Sequence, residues 1–125
     1  MSTAVLDAGA FIALERRDSR VLALLAQLVA DRQVAHVPAG VVAQVWRGSP
    51  RQHAMIRLLR SGALRTESLS EDVALRIGLV LGSTGATDVI DAHVVLLARR
   101  LQARVVTSDP DDLRRLGLRL DLVTL

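Results

Sequence analysis

The chain has 125 residues, half of them hydrophobic, and a formal net charge of +3; that length buries a core of several elements without covalent staples. It contains no cysteine, which excludes disulfides and thiolate chemistry, and no apolar run approaches the roughly 18 residues that a membrane span needs. The pI of about 11.2 overstates the basicity, because all sixteen basic residues are arginine and no lysine, tyrosine or cysteine titrates between neutrality and the arginine range.

The N-terminal stretch MSTAVLDAG carries neither a basic segment nor a long apolar run, so no export signal and a cytoplasmic location are expected. Ala4 to Leu6 predicts a short strand that stops at Asp7, and AGAFIALERR after it has a helical pattern. Asp18 and Ser19 cap a second helix, Arg20 to about Arg32, with Val21, Leu24, Leu25 and Leu28 on one face. Val34 to Val37 reads as a strand ending at Pro38, and Ala39 to Arg47 as a helix. Ser49 and Pro50 give a cap followed by proline at the first helical position, which opens a helix through Arg60. Leu64 to Leu69 is a candidate strand, Ser70 caps a helix to about Leu81, and Gly82 to Gly85 reads as a loop. A helix headed by Asp88 follows, then a strand at Arg104 to Thr107, a short helix from Pro110 and a closing strand near Leu120 to Leu125. This alternation predicts a three-layer α/β/α domain over residues 1–125, with a central parallel sheet of about four to five strands.

In such a sheet the C-terminal ends of the strands share one rim, where ligands bind. Asp7 and Asp109 each follow an apolar strand, and the helix opened by Asp88 and Asp91 starts near the same rim. Asp88 and Asp91, three apart on a helix, lean over one face and repel one another. Each acid also has a plain structural explanation. Asp7 and Asp88 suit helix caps, and Asp109 before Pro110, with Asp112 three residues on, has a capping-box-like spacing. Asp91, set among Val89, Ile90, Ala92, Val94 and Val95, is harder to explain that way. Convergence of all four favours a hard-cation site, since Mg²⁺ and Mn²⁺ take oxygen ligands.

LDAGAFIAL (Leu6 to Leu14), IDAHVVLLA (Ile90 to Ala98) and VVTSDPDDL (Val105 to Leu113) resemble the three signature segments of PIN domains, in particular the VapC-type toxins of bacterial toxin–antitoxin pairs. The resemblance implies an Mg²⁺- or Mn²⁺-dependent endoribonuclease, a homodimer held inactive by a cognate antitoxin. It places the catalytic, metal-holding acids at Asp7, Asp91 and Asp109, with Thr107 at a position where the family often has a hydroxyl; Asp88 is a candidate further metal ligand by its own position beside Asp91. The mechanism implied is metal-assisted hydrolysis of an RNA phosphodiester that leaves a 5′-phosphate. One departure stands out: the family usually supplies a glutamate from the helix after the second strand, and GVVAQVWR has Gln44 there. An amide oxygen brings no negative charge, so either Asp88 compensates or the protein is a catalytically weak RNA-binding or regulatory module.

Other features are less pointed. His36, His53 and His93 lack the spacing of a metal cluster, and His93 lies about 200° round its helix from Asp91. Trp46, the only tryptophan, suits the core better than a partner groove. Arg47, Arg51, Arg57 and Arg60 form a basic stripe suited to RNA or antitoxin contact, or to solvent. The apolar residues of Val21 to Val29 and Ile56 to Leu59 suit either the core or a subunit or antitoxin contact. A receiver-type phosphoacceptor domain would need a lysine, and a haloacid dehalogenase-like phosphatase would need an acid where Gly9 sits.

Overall fold

A computed structural model of the chain describes residues 3–117 and 119–125. In chain order the elements are β1 (Ala4–Leu6), α1 (Ala8–Glu15), α2 (Ser19–Ala30), β2 (Ala35–Pro38), α3 (Ala39–Val45), a 3-10 turn (Pro50–Gln52), α4 (His53–Arg60), β3 (Leu64–Glu67), α5 (Glu71–Thr84), α6 (Val89–Leu101), β4 (Arg104–Thr107), α7 (Pro110–Arg114) and β5 (Leu122–Thr124). The five strands form one parallel sheet in the order β3-β2-β1-β4-β5, flanked by helices as a three-layer α/β/α fold.

The strand order locates the crevice. The chain steps outward from β1 to β2 to β3, then crosses back to add β4 on the other side of β1. Strand order therefore reverses between β1 and β4, and in open parallel sheets the ligand crevice lies beyond the strand ends at such a switch point. The register runs Ala4 to Arg104 and Leu6 to Val106, and the Asp7 amide continues the ladder by donating to the Val106 carbonyl at 3.2 Å.

Central strands buried on both faces need continuous apolar sequence. β1 reads AVL, with all three residues 0% exposed, and Val105 and Val106 of β4 are as deeply covered. α1 packs against α2 and α3, while α6 packs on β1, β2 and β4 and against α5. On α2, Val21, Leu25 and Leu28 face the core whereas Val29 is exposed, so most of that stripe faces inward. Trp46 is partly buried against the core.

Several boundaries depart from expectation. The helix expected to end at Leu81 runs another turn to Thr84, because Gly82 is tolerated on its exposed side; Gly85, at φ 75°, supplies the left-handed residue that ends it. The strand near Leu120 to Leu125 shortens to Leu122–Thr124, and Leu64 to Leu69 shortens to Leu64–Glu67. The segment opened by Ser49 begins as a 3-10 turn, with Ser49 Oγ accepting the Arg51 amide, before continuing as α4. Among the described residues no single helix is long and apolar enough to cross a membrane.

Candidate functional site

Where β1 ends, the chain turns into α1 with Asp7 at the cap: its Oδ1 accepts the Ala10 amide at 2.9 Å. Asp7 is nonetheless 7% exposed, and burial pushes its pKa up, opposed by hydrogen bonds from the Thr107 hydroxyl and the Ala10 and Gly9 amides. A cap on the surface needs no such burial.

Beside it, β4 ends at Thr107, which is 0% exposed. Thr107 Oγ1 accepts the Asp109 amide at 2.9 Å. Asp109 stands at the N-cap position of α7 without a capping hydrogen bond of ordinary geometry; its carboxyl is drawn to the Asp112 side chain and, more weakly, to the Asp112 amide. The capping explanation offered by Pro110 therefore accounts for this carboxylate only in part. Gly9 lets the two turns approach closely, since a Cβ there would lie 1.9 Å from Ser108 Oγ.

The third approach is the start of α6. Asp88 is a true cap, its Oδ1 accepting the Ile90 and Asp91 amides, both at 2.9 Å. Asp91, in the first turn, makes no such bond. Its carboxyl is pushed up to about 6, first by burial and then by the charges of Asp88, Asp112, Asp7 and Asp109. A hollow of about 520 Å³ is lined by Asp88, Asp91 and Asp112 together with Thr84 to Thr87 and Arg115.

Asp112 is the residue that sequence reasoning did not assign to the site. Its side chain hydrogen-bonds the Asp109 carboxyl, the leading cause of an upward pKa shift there, and its charge acts on Asp91. The available signal was the i,i+3 spacing from Asp109, which puts both acids on one face but reads equally well as a capping box.

Gln44 lies elsewhere. It is exposed and borders a separate hollow with Ile12, Glu15, Arg16, Val45 and Arg51. Arg47, Arg51, Arg57 and Arg60 are all exposed, and Arg47 caps the C-terminal end of α3 by donating to the Ala43 and Trp46 carbonyls. His36 and His93 are buried away from the acids: His36 Nδ1 pairs with Glu67 at 2.7 Å, and Glu67 also meets Arg100 at 3.6 Å. His53 is exposed.

Among the described residues, no three acid or imidazole side chains stand close enough to enclose an ion as placed. The donor chemistry nevertheless fits Mg²⁺ or Mn²⁺, which bind through one or two carboxylates and otherwise keep water. Mutual repulsion raises the pKa of Asp91, and a cation would relieve that repulsion.

The family model for the PIN domain matches residues 4–118, nearly the whole chain and all three approaches to the hollow. No curated protein matches the chain.

Proposed function

The chain belongs to the PIN domain family, whose members are generally nucleases, and from that premise we propose that it is an Mg²⁺- or Mn²⁺-dependent endoribonuclease, the toxin of a VapBC-type pair. The observation that carries this reading is Asp91: a carboxyl pushed up to about 6, first by burial and then by four other acids, at the switch point of a parallel sheet. In this reading residues 1–125 act as a single domain. Asp7, Asp91 and Asp109 are the catalytic acids, and Asp88 adds a metal ligand through the oxygen its cap leaves free.

A bound divalent cation supplies Lewis-acid stabilisation of the phosphate and acidifies water. The chain's own groups do the rest. The carboxylates would hold the cation, and an acid it leaves free would accept the proton of the attacking water. Thr107 fixes the Asp109 backbone and restrains Asp7, so the two turns keep their spacing.

The reading extends to partners. RNA is the substrate, and a cognate antitoxin docks on the basic stripe of Arg47, Arg51 and Arg57. A homodimer is favoured by Leu75 and Leu79, neighbours one helical turn apart on α5 and 65% and 75% exposed. A cytoplasmic location goes with this role.

Gln44 favours a second reading, a PIN-like module that binds RNA but cleaves it weakly, because the helix carboxylate usual in the family is missing. The deciding experiment is cleavage of a mixed RNA pool with Mg²⁺, Mn²⁺ or EDTA, comparing the wild-type protein with Asp7→Asn and Asp91→Asn. Metal-dependent cleavage lost in both variants supports the nuclease. RNA binding without cleavage under either metal, by folded protein, selects the module.

A further inference from the structure

A second hollow, of about 480 Å³, adjoins the acidic one between the C-terminal end of α5, α6 and the segment around α7. Arg99, Arg114, Arg115 and Arg119 line it, and no carboxylate does. The two hollows share Thr84, Arg115 and Leu116 as a common wall.

Four guanidiniums beside the three carboxylates of the acidic hollow, Asp88, Asp91 and Asp112, form an electrostatic step on one surface. Of these arginines, Arg99 is tied down, donating to the Leu116 carbonyl at 3.3 Å. Arg114 and Arg115 meet Asp111 and Asp112 at 3.3 and 3.6 Å, in pairs on exposed side chains. Such pairs contribute little and exchange readily for another anion. A phosphodiester drawn to the carboxylate hollow meets net repulsion, so its affinity has to come from cations that grip neighbouring phosphates. Arginine suits this because its planar fork binds phosphate through two bonds.

Resting on the nuclease reading above, we propose that this arginine hollow holds the backbone phosphates of the single RNA strand that flanks the phosphate at the carboxylates. The strand passes across Arg115, the side chain common to both hollows. The stripe on α4 does not compete for this role: Arg57 and Arg60 line neither hollow, and α4 contacts β3, at the opposite edge of the sheet from β5.

The test is binding of a short single-stranded RNA in EDTA over a range of salt, for the wild-type protein, the Arg114→Gln/Arg119→Gln double variant and an Arg57→Gln/Arg60→Gln control. Both variants carry their substitutions at exposed positions and are checked for an unchanged melting temperature. We expect the first variant to bind roughly tenfold more weakly and its salt slope to shrink by about 1.4, near 0.7 for each phosphate no longer neutralised. With Mg²⁺, KM should rise by a similar factor while kcat stays unchanged. An unchanged slope and KM overturns the proposal, as does an equal loss in the control, which would reflect general charge. Weakened binding of an acidic peptide with RNA binding intact assigns the hollow to a protein partner and also overturns it. A protein that cleaves no RNA yet shows the slope change keeps this inference and sinks the nuclease reading; cleavage with unchanged slope and KM does the reverse.

Discussion

Thr107 Oγ1 accepts the Asp109 amide at 2.9 Å, and the same hydroxyl, fully buried, hydrogen-bonds Asp7. One small side chain thus ties together the ends of two adjacent strands. Thr107→Val keeps the shape and removes the hydroxyl, leaving the Asp109 amide without its acceptor. We expect a loss of about 1–2 kcal/mol in urea denaturation. RNA cleavage should fall as well, since Asp7 and Asp109 lose their common restraint.

Asp91 gives the chain a pH-dependent stability of defined sign. Its folded pKa of about 6 lies above the ordinary aspartate value of 3.8. The folded state therefore binds the proton more tightly, and stability falls as pH rises from about 4 through about 6. Asp91→Asn removes the charge. Without divalent cations it should raise stability at pH 7.5 by about 1–2 kcal/mol, a figure discounted for the solvent that still reaches this carboxyl. At pH 2.8, well below the ordinary aspartate value of 3.8, the carboxyl is largely protonated in both states and the variant should nearly match the wild type. Melting curves at the two pH values check this, and a variant less stable at pH 7.5 would contradict it.

Gly40, on α3, faces Ile90 in the first turn of α6: a Cβ at position 40 would lie 2.9 Å from Ile90 Cγ1. Alanine in a helix is ordinarily favoured over glycine by about 0.5–1 kcal/mol. We expect Gly40→Ala to stabilise the chain only in an Ile90→Ala background, and to be neutral or destabilising alone. A double-mutant cycle with a coupling near 1 kcal/mol checks the contact. Additive effects would show that α3 and α6 do not constrain each other here.

Gln102 ends α6 in the left-handed region, with φ 51° and ψ 44°. A side chain there costs energy that glycine avoids. Gln102→Gly should therefore raise stability by about 0.5–1 kcal/mol in thermal denaturation, with cleavage unaffected at this distance from the acids.

The sequence carried much of this architecture because its signals were local. Pro38, Gly62 and Gly85 punctuate apolar segments of clear period, and the strand at Arg104 to Thr107 lies within its expected bounds. Four of the acids, Asp7, Asp88, Asp91 and Asp109, could be placed by position, each following a strand or opening a helix at the sheet rim. What escaped was what local pattern does not encode. Strand order depends on non-local pairing, so the switch between β1 and β4 could be assumed but not read. Asp109 and Pro110 look like a cap in sequence, and only the side-chain placement shows that the carboxyl turns mainly to the Asp112 side chain. Asp112 was hidden by the same ambiguity, and the arginine hollow joins residues from α5, α6 and the α7 region that no window along the chain contains.

The central position of β1 also governs when the acids can meet. Residues 4–6 leave the ribosome well before residues 104–106, their partners on one side. A nascent chain can pair β1 with β2 early, but Asp109 and Asp112 reach Asp7 only after roughly a hundred further residues have been made. The carboxylates therefore stay apart while that stretch is synthesised, and a chain truncated before β4 lacks both the strand beside Asp7 and the acids that follow it.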